Sequence, residues 1–418
     1  MTVINTINKS KNIFTVIDVG NSKVSCLIGT SVKTNDIQIR ALGFGQHASF
    51  GMTNGQVTDM KEIGNSIARA VEGAEIMAGF PINKVSCSLS GGRPITKIIR
   101  NKIRIENGRV EKNDILKILK IKKFPPIHDY EILSSSVIKY YLDNNTSVEN
   151  PIGIFTDSLT VEISYTYGQK SVIKNISSAV NLCHLTVEKF FICPDASGVS
   201  TMVKDERTNG AIIVDLGANI TSFGVFLNNE IIFSDSIPIG GLHITSDIVR
   251  GLGTKSEDAE KLKILHGSTL SNETDEYINL DVPIISDEGE LITQKIPKAM
   301  LTAIIKPRVE EIFELVQERL NHLRPNSNYI NKVILCGGGA NLNNIRELAS
   351  NYFKANVRIG RPIGVIDLPE IVQTPTFACL TGLLIKNIER DRVLNSRGLH
   401  LGLFGYFGKI GNWFDQNL

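Results

Sequence analysis

One pattern occurs twice in this sequence. An apolar run closes on an aspartate, a glycine turn follows, and a second apolar run leads away: I-D-V-G-N-S-K-V-S-C-L-I-G around Asp18 and V-D-L-G-A-N-I-T-S-F-G-V-F around Asp215. The copies lie about two hundred residues apart, far beyond the period of a solenoid or propeller. Each is followed by a third β-rich run, I-Q-I-R-A-L-G-F-G or E-I-I-F-S-D-S-I-P-I-G-G, with turn residues at the breaks. Helical periodicity comes next. Ile63, Ile67, Ala70, Ala74 and Met77 mark one face of a helix from about Met60, and a second helix is expected from near Thr245. A repeated strand–turn–strand–strand–helix unit implies two related α/β lobes, each opening on a hairpin.

The remaining chain divides around these units. Residues 85–165 read as short strands, a lysine-rich amphipathic helix through Ile115 and Leu119, and a break at F-P-P from Phe124. This is the pattern of a small inserted α+β subdomain, which leaves residues 1–84 and 166–200 for the first lobe. Residues 201–385 form the second lobe, with a smaller subdomain at about 240–300 and a long helix at 300–323 bent at Pro307. The chain turns charged in E-R-D-R-V-L-N-S-R, so 386–401 is expected to be a linker, and 402–418 is rich in glycine and aromatics. A length of 418 residues suits two or three such units.

Composition excludes several classes. Hydrophobic residues make up 42% and charged residues 21%, ordinary globular usage with enough apolar material for a large core. The 45 basic and 43 acidic residues leave a net charge of +2, with no basic stripe and no aromatic platform, so no nucleic-acid role is expected. Cys26, Cys87, Cys183, Cys193, Cys336 and Cys379 show no C-x-x-C spacing and no histidine at metal-ligand spacing, and read as reduced core thiols. The N-terminus lacks an export signal's apolar segment, and no apolar run reaches eighteen residues. The expected location is cytosolic, with any membrane contact peripheral.

The paired turns carry the chemistry. A glycine after each aspartate frees backbone N–H groups, and two such hairpins facing each other would cradle a polyphosphate in amide nests. Asp18 and Asp215 are the candidate Mg²⁺ carboxylates, acting mostly through the ion's waters. Gly20, Asn21, Ser22 and Lys23 form the first phosphate loop; Gly217, Ala218, Asn219 and Thr221 form the second. The strand V-I-L-C runs into Gly337, Gly338, Gly339 and Asn341, where bare backbone can lie against a nucleoside. Glu260 and Lys263, one helical turn apart, could bracket ribose and base. Each element alone is common: a D-x-G turn usually ends a hairpin, and a Glu–Lys pair usually lies in solvent. Neither G-x-x-x-x-G-K-[ST] nor G-x-G-x-x-G occurs; Leu342 stands where the last glycine of the second would be.

In order and spacing, D-x-G-[NST]-x-K, D-x-G-x-x-x-T, strand-G-G-G and the helix T-P-T-F-A-C-L-T-G-L-L resemble the superfamily of actin, sugar-kinase and heat-shock-chaperone ATPases. Within it, nearly the whole chain resembles the bacterial cell-division family FtsA. The matches are N-I-F-T-V-I-D-V-G-N-S-K, G-G-L-H-I-T-S-D-I, G-T-K-S-E-D-A-E-K-L-K-I-L-H-G, K-P-R, V-R-I-G-R-P, the insertion and the amphipathic end. The resemblance implies a two-lobed actin-like fold (a duplicated ribonuclease-H-like unit) that binds ATP with Mg²⁺ between its lobes. It also implies self-association into filaments, recruitment of later division proteins, and tethering of the tubulin-like ring protein FtsZ to the cytoplasmic face of the inner membrane at the septum. By the same resemblance the C-terminal peptide of FtsZ docks near the helix carrying Arg308, although a solvent-facing arginine needs no such role.

Two departures bear on activity. Hydrolysis needs a group that orients water toward the γ-phosphate. The position that aligns with actin's glutamine falls at Gly198 or a neighbour, leaving Asp195, about one turn earlier, as the candidate. Binding with slow or negligible turnover is therefore expected. Ala218 stands where many family members have glycine, and adopts a positive φ less cheaply.

In the tail, Leu403, Phe407, Ile410 and Phe414 share one helical face, flanked by Phe404, Tyr406 and Trp413, with Lys409, Asn412, Asp415 and Gln416 opposite. That is the pattern of an in-plane membrane helix, although a helix packed on the body would show it too. Gly405, Gly408 and Gly411 each cost about 1 kcal/mol in a helix, so a surface is needed to form it. A small-molecule kinase of the same superfamily, or a pilus-assembly scaffold, would have no use for this tail.

Overall fold

The computed structural model describes residues 13–33, 37–121, 126–143, 145–285, 291–321 and 331–395. Its first sheet begins with β1 (Ile13–Val19), β2 (Lys23–Lys33) and β3 (Ile37–Ala48), an antiparallel meander. α1 (Met60–Ala78) follows. Asp59 caps it by accepting from the N–H groups of Lys61 and Glu62 at 2.9 and 3.0 Å, and Gly79 ends it at φ +82°. Its buried face carries Ile63, Ile67, Ala70 and Ala74, while Met77, in the last turn, is exposed. β4 (Lys84–Leu89) returns parallel to β1, and β8 (Thr186–Ile192) lies parallel beyond it. The sheet order is β8–β4–β1–β2–β3, with Val365–Ile366 added at the β3 edge.

The second sheet repeats this plan. β9 (Ala211–Leu216), β10 (Thr221–Leu227) and β11 (Glu230–Ile237) form the meander, and β14 (Lys332–Cys336) and β15 (Asn356–Ile359) extend it in parallel on the β9 side. The order β11–β10–β9–β14–β15 matches the first sheet strand for strand. The duplicated sequence is thus a duplicated topology.

α4 (Cys193–Thr201) follows β8, and α9 (Ala378–Asn395) closes the described chain. All nine residues of α4 are buried. α9 carries Leu380, Leu383, Leu384 and Ile388 into the face of the first sheet opposite α1, with Val16 and Leu27. α9 continues to Asn395, so the segment expected to be a linker from 386 is helical for its first ten residues. Its apolar side chains persist to Ile388, and Lys386 and Asn387 are themselves buried.

An antiparallel sheet of β5 (Ile95–Arg104), β7 (Ser158–Gln169) and β6 (Tyr130–Tyr141), in that order, forms the insertion, with Ser147–Val148 at its edge. α2 (Lys112–Lys120) seals its core through Ile115, Ile118 and Leu119. The insertion begins later than expected. Lys84–Leu89 is buried from Val85 onward between β1 and β8, because hydrogen bonding on both edges makes it a central strand of the first lobe.

In the second lobe, α5 (Gly241–Leu252) begins four residues before the expected Thr245, since Gly240 and Gly241 form its amino end. α6 (Ser256–His266) and the hairpin of β12 (Asn279–Ile285) and β13 (Leu291–Pro297) follow. α7 (Lys298–Asn321) runs through Pro307 without interruption, burying Leu301, Ile305, Val309, Ile312 and Val316. No helix among the described residues is long and apolar enough to cross a membrane.

Candidate functional site

Asp18 and Asp215 reach one cavity by equivalent routes. β1 pairs with β2 so that Asp18 lies opposite Ser25, and β9 pairs with β10 so that Asp215 lies opposite Ser222. The turns close alike: Gly20 N donates to Lys23 O at 3.1 Å, and Gly217 N donates to Ile220 O at 3.0 Å. Between them lies a cavity of about 510 Å³. Gly20, Asn21, Ser22 and Lys23 line one side; Gly217, Ala218 and Asn219 line the other. Gly337, Gly338, Gly339 and Asn341, beyond β14, and Glu260 and Lys263, on α6, complete the walls.

The floor is acidic. Burial raises the Asp18 carboxyl above its ordinary value, although Ser88 and Lys23 oppose the shift. Burial pushes Asp215 up to about 6, with the Asp18 charge adding to it, although the Ser197 hydroxyl donates to its Oδ2 at 2.5 Å. Lys23 is lowered to about 8 by burial, against the pull of both aspartates, and its ammonium lies 3.6 Å from the centroid of the Phe377 ring. One cation facing two half-buried carboxylates leaves the floor short of positive charge.

Two buried amide atoms at the cavity have no partner in the protein. Asn21 Oδ1 accepts from Gly55 N at 3.0 Å, but its Nδ2 is unsatisfied. Asn219 donates through Nδ2 to Asn54 Oδ1 at 3.4 Å, and its Oδ1 is unsatisfied. Orphaned polar atoms from both turns are what a polar ligand would complete. Ala218 lies outside the positive-φ region, so its place in the loop costs no backbone strain. Gly337 sits at φ +82°, and a Cβ there would meet Asp215 Oδ1 at 2.5 Å and Leu216 O at 2.6 Å.

Lys263 is held rather than free. Its Nζ donates to Gly241 O at 2.9 Å, Thr245 Oγ1 at 2.8 Å and Glu260 Oε2 at 2.7 Å, which joins α6 to the start of α5. Burial lowers its pKa and Glu260 partly offsets this. Leu242, Ile244, Ile264 and Leu342 give the adjoining wall an apolar surface.

Two sequence candidates for the cavity lie elsewhere. Thr221 is fully buried and donates to Ile239 O at 2.8 Å; strand alternation turns its neighbour Ser222 into the cavity instead. Asp195 does not line the cavity. Its Oδ2 pairs with Lys386 of α9, both side chains being 7% exposed, so it is held within the protein instead of beside a ligand. At Gly198, where the alignment with actin's glutamine falls, a Cβ would meet the Phe226 ring at 2.3 Å, so an aromatic edge fills the space a longer side chain would need. Arg308 on α7 donates through Nε and Nη2 to Asp247 at 2.6 and 3.0 Å and pairs with Glu311. Leu403, Phe404, Tyr406, Phe407, Ile410, Trp413 and Phe414 lie outside the described residues.

Sequence reasoning misses Ser88 and Ser197, which hold the two aspartates, and Cys193, Thr376 and Cys379, which line the cavity. They come from elements remote in sequence, and no spacing marks them.

Comparison with known proteins agrees with this geometry. A model of the family described as cell division protein FtsA matches residues 212–382, and one described as an SHS2 domain inserted in FTSA matches residues 91–166. The cell division protein FtsA of Rhizobium meliloti (strain 1021) is 31% identical over 423 residues, covering 98% of this chain and 96% of that protein. Among solved structures, the PilM–PilN type IV pilus biogenesis complex superposes with a TM-score of 0.61 at 13% identity, over 90% of this chain and 98% of that one. MreB5 of Spiroplasma citri bound to ADP gives 0.55 at 14% identity, over 93% and 99%. At such identities the structural likeness establishes an actin-like fold.

Proposed function

The chain belongs to the FtsA family of cell-division proteins, and from that premise we propose that it is an actin-like ATP-binding protein that tethers FtsZ to the inner membrane. In this reading it also self-associates into filaments and recruits later division proteins. It sits peripherally on the cytoplasmic face at the septum, anchored by residues 402–418.

The observation that carries the reading is the pair of equivalent turns that bring Asp18 and Asp215 to one cavity. Orphaned Asn21 Nδ2 and Asn219 Oδ1 and an uncompensated acidic floor fit a nucleotide with a hard divalent cation. Asp18 and Asp215 would hold Mg²⁺ through its waters. Lys23 and the amides of Asn21, Ala218 and Asn219 would bind phosphate. Glu260 and Lys263 would face the ribose, and Ile264 and Leu342 the base. Mg²⁺ supplies neutralisation of phosphate charge when bound.

Slow or negligible turnover is part of the proposal. Phe226 fills the space beside Gly198, and Asp195 is engaged by Lys386. Arg308 is proposed to border the FtsZ peptide's docking surface. Its two hydrogen bonds to Asp247 keep the guanidinium in one orientation while the side chain stays 24% exposed.

Co-sedimentation with liposomes tests the tether. Full-length protein and a chain ending at Arg397 are compared, with and without Mg-ATP and the FtsZ C-terminal peptide. The expected result is that only full-length protein pellets and carries the peptide with it. Pelleting of both forms, or of neither, defeats the membrane assignment.

A further inference from the structure

Cys193 opens α4 and Cys379 is the second residue of α9, so the two helices bring thiols from distant parts of the chain to the same floor. Both are buried yet line the cavity, and neither is in a disulfide. Their Sγ atoms and a carboxylate oxygen of Asp18 all lie within 4.8 Å of one another. Ligands on a tetrahedral zinc ion stand about 3.5–3.8 Å apart, given Zn–S of about 2.3 Å and Zn–O of about 2.0 Å. Rotamer-scale movement closes that gap.

We propose that Cys193, Cys379 and Asp18 form a site for a soft divalent cation, zinc(II), on the floor of the cleft. Two sulfur donors select against Mg²⁺, which requires oxygen in near-octahedral array, and suit zinc. Binding releases the two thiol protons to solvent and leaves two Zn–S bonds and one Zn–O bond. Two thiolates, one carboxylate and Zn²⁺ sum to a single negative charge, which Lys23, beside Asp18, is placed to offset. Asp18 is also a carboxylate assigned above to the nucleotide's Mg²⁺, so the two metals compete for it. That consequence rests on the proposed nucleotide site; the zinc site itself rests only on the three ligand atoms.

The test uses the full chain without nucleotide. Titration with Co²⁺, the spectroscopic substitute for zinc, should give a thiolate-to-metal charge-transfer band at one equivalent. The band should be lost in Cys193→Ser and in Cys379→Ser and kept in Cys183→Ser, a cysteine outside the cavity. Zinc-edge X-ray absorption on the unaltered chain avoids any folding defect in the variants. A first shell with two sulfur atoms at about 2.3 Å supports the site. An all-oxygen or nitrogen shell, absence of the band, or its loss only in Cys183→Ser overturns it.

Discussion

Arg93 of the insertion donates to both carboxylate oxygens of Asp235 on β11, Nε to Oδ1 at 2.9 Å and Nη2 to Oδ2 at 3.2 Å. Asp235 is 9% exposed and Arg93 53%, so one partner is fixed and the other reaches in from solvent. Beside them Thr96 and Ser234 share a hydrogen bond of 2.7 Å, and Ser164 donates to Ile231 O at 2.9 Å. The insertion, covalently part of the first lobe, is thus fastened to the edge strand of the second. This gives the lobes a tie apart from α4 and α9.

That tie predicts a localised effect. Arg93→Ala should cost about 1 kcal/mol, a modest amount because the guanidinium is half solvated. Amide exchange should quicken along β11 and β5 and stay unchanged in β1 and β9. Uniform exchange across all four strands would mean that the pair contributes nothing to holding the insertion in place.

Asp215 predicts an unusual pH response. Its folded pKa, about 6, lies above the ordinary 3.8. Its contribution is therefore fully present below pH 3.8 and is lost as pH rises through 6. Nucleotide-free protein at pH 7.5 should carry this burial penalty, of up to about 3 kcal/mol. Asp215→Asn should then melt higher than the parent at pH 7.5, with the difference shrinking by pH 5, while Mg-ATP affinity falls. A variant that melts lower at pH 7.5 would show that the buried carboxylate is compensated by something other than a bound cation.

Gly337 and Gly198 separate binding from turnover. Gly337→Ala places a Cβ against Asp215 Oδ1 and Leu216 O at φ +82° and ψ 175°, a region open essentially to glycine, which costs about 1–3 kcal/mol from backbone alone. Calorimetry should show nucleotide affinity falling at least as far as stability does. Gly198→Gln collides with Phe226, and should lower the melting temperature without raising steady-state phosphate release. Faster hydrolysis in that variant would mean that water-orienting geometry needs only the missing amide.

The sequence carries the site unevenly for physical reasons. Asp18 to Lys23 and Asp215 to Asn219 are legible because a hairpin turn and its ligand atoms are contiguous. Thr221 and Ser222 are not separable without the register, since a shift of one residue exchanges cavity for core. Lys84–Leu89 is legible as a strand but not as part of the first lobe, because its partners β1 and β8 are distant in the chain. The charged run after Lys386 looks like a linker until its neighbours are known. Lys386 is buried because Asp195 is there to receive it.

That ion pair makes the last prediction. Asp195 Oδ2 faces the Lys386 ammonium, and Lys189 and Arg390 lie close enough to act electrostatically on the same cluster. Burial first, then the Arg390 and Lys386 charges, push Lys189 down to about 7, while Asp195 pulls it back up. Removing the carboxylate therefore leaves three cations together. Asp195→Ala should destabilise the fold by about 3–5 kcal/mol. Lys189's folded pKa lies below its ordinary 10.5, so its contribution is present above pH 10.5 and lost as pH falls through 7. The variant's melting temperature should accordingly drop more between pH 9 and pH 6 than the parent's. Asp195→Leu combined with Lys386→Met removes both charges and should recover most of the loss. If Asp195 serves only the fold, this double variant keeps the parent's nucleotide affinity and whatever slow phosphate release the parent shows. A stable double variant with normal affinity and no release would return Asp195 to a part in hydrolysis.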